Sequence, residues 1–211
     1  MRDITMDQPL SAAGFWPALL SLILASAVVM GSPGPATMSV TAIGASFGFR
    51  RSMPYAAGII LGTATVLAAV AAGLVSVLLA QPRLAPVLVG LSAVYMIYLA
   101  FRIATAPPLS APGARAGAPK FLGGFLFALA NPKAYVAIAA VFGASTLTTT
   151  SVPGGTAIKI AVLAAMIVVI HLAWLMAGSA LARFLRRPII SRAVNLAFAA
   201  ILLATTAMAF V

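Results

Sequence analysis

Long uncharged, apolar runs separated by short polar linkers dominate this chain. A helix needs roughly 20 apolar residues to cross about 30 Å of hydrocarbon. Several runs have the length of one such helix, and each is predicted to be a single transmembrane helix. These runs are residues 55–79, 84–101, 160–182 and 193–211.

Two further runs are each predicted to be one broken transmembrane helix. Residues 14–49 carry no charge and are too long for one straight span but too short for two, and Pro33-Gly34-Pro35 lies in their middle. Residues 121–150 are uncharged except at the motif Asn131-Pro132-Lys133. Proline removes a backbone donor and clashes with the preceding turn. The pattern therefore predicts an all-α membrane protein of six transmembrane helices, of which the first and fourth are broken.

The six predicted helices divide into two halves of three. Because three is odd, the halves would have opposite orientations, and inverted repeats with interrupted helices in matching positions are typical of secondary transporters. Gly44-Ala45-Ser46 and Gly143-Ala144-Ser145 stand at the same offset as Pro33 and Pro132. We expect one transmembrane domain, residues 1–211, composed of a first repeat (about 10–105), a loop (104–119) and a second repeat (about 120–211).

The first apolar run has an alternative interpretation as a cleaved signal peptide, since Ala25-Ser26-Ala27 resembles a cleavage site. The residues before the run, however, carry Arg2 beside Asp3 and Asp7, so they lack the positive bias of a signal peptide. The run also continues past the site. A retained membrane helix is therefore favoured.

The distribution of basic residues predicts the orientation. Cytoplasmic loops carry an excess of Lys and Arg. With the N-terminus outside, most basic residues fall on the inner side, and both termini are then predicted outside. The inner residues are Arg50, Arg51, Arg102, Arg115, Lys120, Arg183, Arg186, Arg187 and Arg192, against Arg2, Arg83 and Lys159 on the outer side.

The composition excludes many kinds of chemistry. The chain is 63% hydrophobic and 7% charged, whereas soluble domains are near half apolar and about a quarter charged. Its acidic residues are Asp3 and Asp7 only, and it has one histidine and no cysteine. Paired-carboxylate hydrolysis, a Ser-His-Asp triad and thiolate metal sites lack the residues they need. We therefore expect no enzyme, no cofactor and no metal site.

The net charge of +11 could indicate nucleic-acid binding. The basic residues are instead dispersed between apolar runs rather than gathered on one face. We therefore expect the chain to be surrounded by membrane lipid and not to bind nucleic acid.

The two breaks are the predicted substrate-binding region. A break in the membrane frees backbone N–H and C=O groups that lipid cannot satisfy. The N–H groups after Pro35 could face a carboxylate, and the carbonyls of Met30 and Gly31 could face an ammonium. The predicted substrate-binding residues are Ser32, Pro33, Gly34, Pro35, Ala36, Thr37, Asn131, Pro132 and Lys133.

Two ionisable residues lie within the apolar pattern. Intramembrane charge is costly and points to function, so Lys133 is predicted to bind a substrate carboxylate; the alternative is that it snorkels to an interface. His171 lies in the middle of the fifth span, where it is a candidate for carrying a coupling proton or for a neutral packing role. Trp174 is a weaker candidate on the same helix face. Close helix packing is predicted at the small-residue pairs Gly44/Gly48 and Gly58/Gly62.

Together these residues resemble the LysE/RhtB family of bacterial amino-acid exporters. The resemblance rests on Ser32-Pro33-Gly34-Pro35, the glycines that follow it, Tyr95-Met96-Ile97-Tyr98-Leu99 and Asn131-Pro132-Lys133-Ala134. It implies a six-helix exporter in the bacterial cytoplasmic (inner) membrane, driven by the proton motive force as an antiporter, and often a homodimer. Many members carry an acidic residue in the fifth span where this chain has Ile170-His171, so a coupling carboxylate and cationic substrates are not carried over.

The favoured function is export of amino acids, neutral rather than cationic, by alternating access between the two broken helices. Distant relatives of this fold pass electrons through cysteines, which this chain lacks. A divalent-metal exporter would have almost no ligands here. A non-transporting membrane scaffold or lipid-handling protein remains an alternative that a flux assay would distinguish.

Overall fold

Every regular element that the computed structural model describes is a helix. It describes residues 12–73, 119–145, 147, 152–181 and 188–207, with isolated positions between 90 and 105. The predicted third span and the loop at 104–119 therefore lie largely outside the described residues. The helices are α1 Ala12–Val29, α2 Pro35–Phe47, α3 Phe49–Ala71, α4 Phe121–Leu129, α5 Pro132–Ala144, α6 Val152–Leu181 and α7 Pro188–Ala207.

Within the described residues, two helices are long and apolar enough to cross a membrane alone. They are Phe49–Ala71 and Gly154–Leu181, the latter within α6. Helices α4 and α5 make a third candidate when taken together, bent by 62° at the residues between them. This agrees with a broken fourth span. The arrangement of six spans in two inverted repeats extends beyond these candidates and stays a prediction.

Both predicted interruptions occur, but the prolines lie at helix starts rather than inside the breaks. Residues 30–34 separate α1 from α2, and Ala130 and Asn131 separate α4 from α5. Pro35 and Pro132 are the first residues of the following helices. The first helical position has no intrahelical acceptor for its N–H, so proline loses nothing there. Pro35, Pro132 and Lys133 are therefore helical, which corrects their predicted place in the breaks.

Three of the four singled-out glycines lie where helices approach closely, as predicted. A Cβ on Gly44 would lie 2.9 Å from the carbonyl oxygen of Leu175. One on Gly58 would collide with the carbonyl oxygen of Phe121, and one on Gly62 would lie 2.7 Å from that of Phe125. These glycines bring α2 against α6 and α3 against α4, the most extensive helix contacts of the described residues.

Gly48 has a different role from the one predicted. A Cβ there would meet nothing within 4 Å, so close packing does not require a glycine. Its φ is +76°, a backbone conformation that side chains disfavour. Gly48 is the one residue between α2 and α3, and its conformation turns the chain from one helix into the next.

The buried apolar residues form two core clusters separated by a polar layer. Along α3, Thr63 lies between Ile59 of the first cluster and Val66 of the second. In the same way, Asn131 lies between Ala128 of the first cluster and Ala134 of the second, and His171 lies between Leu175 and Ile167. The first cluster includes Ile43, Tyr55, Ile59, Phe127, Ala128 and Leu175, and the second includes Leu22, Val66, Ala134, Ile138, Leu163 and Ile167.

Candidate functional site

Lys133 joins the two breaks directly. Its Nζ donates to the carbonyl oxygen of Ser32 at 2.8 Å, to Ser32 Oγ at 2.7 Å and to the carbonyl oxygen of Pro33 at 3.0 Å. Ser32 and Pro33 belong to the first break, whereas Lys133 is the second residue of α5. The side chain thus reaches from α5 to the first break, and the binding of a substrate carboxylate by this lysine stays a prediction.

The groups that accept hydrogen bonds from Lys133 are two backbone carbonyls and one hydroxyl, all of them uncharged. They follow the C-terminal end of α1, where the helix dipole favours a cation. The chain has no carboxylate side chain after Asp7, so no salt bridge within residues 8–211 can balance the ammonium charge. Among the described residues, the ammonium is therefore bonded to backbone and hydroxyl oxygens of the first break.

Gly34 provides the space for this lysine. A Cβ on Gly34 would lie 2.6 Å from Lys133 Cδ and 2.7 Å from its Nζ. Any side chain at position 34 would displace the ammonium from its acceptors. The glycine of the Pro-Gly-Pro motif is therefore explained by the close approach of Lys133.

Aromatic donors satisfy carbonyl groups at the end of each first half-helix. Trp174 Nε1 donates to the carbonyl oxygen of Gly31 at 3.1 Å, and the Tyr135 hydroxyl donates to that of Leu129 at 2.7 Å. At the start of α2, Thr37 Oγ1 accepts from the N–H of Gly34 at 2.9 Å. These contacts hold the shape of the breaks and leave the N–H groups of Ala36 and Thr37 without an intrahelical acceptor.

A cavity of about 40 Å³ lies between the breaks, α3, α5 and α6. One ordered water needs at least about 10–15 Å³, so the cavity has room for roughly three waters. It combines polar groups of the breaks with apolar walls from α5 and α6. Its lining residues are Met30, Ser32, Gly34, Ala36, Thr37, Thr63, Asn131, Lys133, Ala134, Ala137, Ile138, Ile167, Ile170 and His171.

His171 is 5% exposed and lines this cavity. Its Nδ1 lies 2.7 Å from the carbonyl oxygen of Ile167. Because a carbonyl oxygen only accepts, Nδ1 must hold the proton, and the neutral ring then has Nε2 available as an acceptor. The role of His171 as carrier of a coupling proton stays a prediction.

Most of the predicted substrate-binding residues meet at the cavity. Pro33, Pro35 and Pro132 do not line it; Pro33 contributes its carbonyl oxygen to Lys133. The predicted residues that line it are Ser32, Gly34, Ala36, Thr37, Asn131, Lys133 and His171.

Sequence reasoning missed Thr63, which contributes its side chain from α3. Thr63 and Thr65 lie two residues apart in one apolar helix, and nothing in the sequence separates them. Thr65 is exposed and donates to the carbonyl oxygen of Leu61 at 2.9 Å, whereas Thr63 is buried at the cavity. The spacing from Gly58 and Gly62 was the one available signal, because it fixes which face of α3 is turned inward.

Comparison with known proteins identifies the family of the chain. Among the described residues, no group of three or more His, Cys, Asp or Glu side chains lies together. Searches of curated proteins and of solved structures gave no match. The family model of LysE type translocators matches residues 27–211, which include both breaks and every cavity residue. The chain belongs to the family of LysE type translocators.

Proposed function

We propose that this transporter exports neutral amino acids from the bacterial cytoplasm, driven by the proton motive force as an antiporter. The observation that carries the proposal is Lys133, a half-buried cation at a cavity of a chain that has no Asp or Glu after Asp7. Removing a charge from water without an opposite charge beside it is unfavourable. A substrate carboxylate would supply the missing negative charge.

The cavity has the features of a zwitterion site with an apolar side-chain pocket. The positive end of α2 and the Lys133 ammonium favour the carboxylate. The walls on α5 and α6 include Ala137, Ile138 and Ile167, which suit a small aliphatic side chain. A second positive charge on the substrate would face Lys133 without a carboxylate to stabilise it.

The cavity has room for only a few waters, so an amino acid needs a wider state. The two breaks belong to different helix pairs and contact each other through one flexible side chain. Movement of α5 relative to α2 would open the cavity toward one side of the membrane. Alternating access is therefore proposed as relative motion of the two broken helices about the Lys133 contact.

The substrate class is testable by counterflow in proteoliposomes. Purified protein is loaded with unlabelled amino acid, and uptake of labelled leucine, threonine, homoserine, lysine and arginine is compared. We expect the neutral compounds to exchange and the cationic ones to be at least about tenfold slower, because burying an unpaired ammonium costs more than 1.4 kcal/mol. Empty liposomes are the control. Lysine or arginine exchanging as fast as leucine would refute the neutral preference, and absence of exchange for all five would refute amino-acid transport.

His171→Gln should uncouple transport from the pH gradient. Glutamine keeps a polar side chain of similar reach but cannot take up a proton. We expect leucine counterflow without a gradient to persist, while the acceleration of leucine flux by an imposed pH gradient is lost. Counterflow of the same preparation is the internal control for folding. An unchanged response to the pH gradient would show that His171 carries no coupling proton.

A further inference from the structure

We propose that Thr63 Oγ1 and Asn131 Oδ1 form the subsite for the α-ammonium group of the substrate. This inference rests on the proposed amino-acid transport and adds to it a role for a residue of α3. It assigns the two ends of the zwitterion to different groups of the cavity lining.

The two oxygens share an unusual property. Thr63 and Asn131 are 4% and 3% exposed, and neither oxygen has a hydrogen-bond partner among the described residues. Buried polar atoms nearly always have one. Both residues line the same cavity, although they come from α3 and from the second break. Two unpartnered oxygens at one cavity indicate a ligand that is bound for part of the transport cycle.

The chemistry of the pair favours a donor with positive charge. An amide oxygen can only accept, and a hydroxyl can accept while its own proton turns elsewhere. An ammonium group has three donors and no acceptor. Uncharged oxygens are known to hold cations where carboxylates are absent, and the chain offers no carboxylate in its membrane part.

Three carbonyls of the first break that could otherwise receive an ammonium already accept hydrogen bonds. The carbonyl oxygen of Gly31 accepts from Trp174, and those of Ser32 and Pro33 accept from Lys133. The ammonium of Lys133 thus occupies acceptors of the first break. The oxygens of Thr63 and Asn131 are the buried cavity acceptors that still lack a donor among the described residues.

This arrangement also orients the carboxylate. All three donors of Lys133 are used within the first break, so the lysine acts on the carboxylate through its charge. The N–H groups at the start of α2 supply hydrogen bonds beside it. The carboxylate then lies near Lys133 and α2, and the ammonium lies toward α3.

The test compares leucine with its deaminated analogue 4-methylpentanoate in reconstituted protein. Thr63→Val removes the hydroxyl at nearly constant shape. We expect it to raise the KM for leucine counterflow by about tenfold or more, the loss expected for a hydrogen bond to a charged group. Inhibition of leucine counterflow by 4-methylpentanoate should keep its inhibition constant, because that compound has no ammonium. Thr63→Ser should restore the KM for leucine.

Thr65→Val is the matched control, since it makes the same change on the same helix at an exposed hydroxyl bonded to its own backbone. It should leave both constants unchanged. An unchanged KM in Thr63→Val, or equal losses for leucine and 4-methylpentanoate, would overturn the ammonium subsite while leaving amino-acid transport standing. Lack of leucine counterflow by the wild type would instead refute the proposed function, and the subsite with it.

A further arm distinguishes an alkali cation from the substrate ammonium. Counterflow is measured in sodium, potassium and choline buffers. We expect equal KM values for the wild type in all three. Sodium-dependent transport that becomes sodium-independent in Thr63→Val would assign the oxygen pair to a metal cation and overturn the proposal.

Discussion

Lys133→Met is expected to abolish amino-acid transport while the protein still inserts and folds. Methionine keeps the length and apolar stem of lysine but removes the ammonium, and with it the charge that attracts the substrate carboxylate. Because Lys133 is half-buried, losing its charge is expected to cost at least about 1.4 kcal/mol, which is roughly tenfold in affinity. Three acceptors at Ser32 and Pro33 lose their donor as well. Leucine counterflow in proteoliposomes is the measurement.

Lys159→Met is the matched control for this variant. Lys159 donates to the carbonyl oxygen of Ser145 at 2.7 Å and lies over the ring of Phe142, away from the cavity residues. Its replacement should leave the leucine KM unchanged. Circular dichroism and size-exclusion profiles report whether each variant is folded. A folded Lys133→Met protein with normal flux would reduce Lys133 to a structural link between the breaks.

Gly58→Ala is expected to separate α3 from α4 and to destabilise the whole protein. The added methyl group would collide with the backbone carbonyl of Phe121, and backbone cannot rotate away as a side chain can. Overpacking of this kind costs about 1–3 kcal/mol or more. We expect a lower melting temperature in detergent and a lower yield of folded protein. Because α3 carries Thr63, leucine transport by the surviving protein should also fall.

Gly143→Ala is the control for this prediction. Gly143 is an exposed helical glycine of α5, and a Cβ there would meet no atom within 4 Å. Alanine is the better helix former by up to about 1 kcal/mol, so the melting temperature should stay constant or rise. Equal melting temperatures for Gly58→Ala and the wild type would contradict the tight packing of α3 on α4.

The helical breaks were predictable because they follow from covalent chemistry. Pro33-Gly34-Pro35 and Asn131-Pro132 combine proline with a glycine or an asparagine, which disfavours a continuous helix more than the single prolines Pro17 and Pro54 inside α1 and α3. The unusual position of Lys133 was also predictable, because it is the one charged residue in the apolar run 121–150. The exact assignment of Pro35 and Pro132 to helix starts was less accessible, because a proline can end one helix or begin the next.

The contacts across the cavity were not predictable from the pattern. Lys133 was assigned to a substrate carboxylate, but the acceptors that it finds in Ser32 and Pro33 lie about 100 residues away in the chain. Thr63 and Thr65 have the same chemistry, and only the packing of α3 decides which of them is buried. Gly48 was grouped with packing glycines because its spacing from Gly44 is the same as in a helix, whereas its role depends on a backbone angle.

The central claim is that the cavity between the two breaks binds the transported amino acid, and substrate protection of a cysteine tests it most directly. The chain contains no cysteine, so Ala137→Cys places a unique thiol at the cavity wall. Its reaction with N-ethylmaleimide is followed in proteoliposomes with and without leucine, beside Val136→Cys, which lies on the exposed side of the same helix. The account predicts that saturating leucine slows labelling at position 137 and leaves position 136 unaffected. Equal labelling of Cys at position 137 with and without leucine, in protein that still transports leucine, would contradict it.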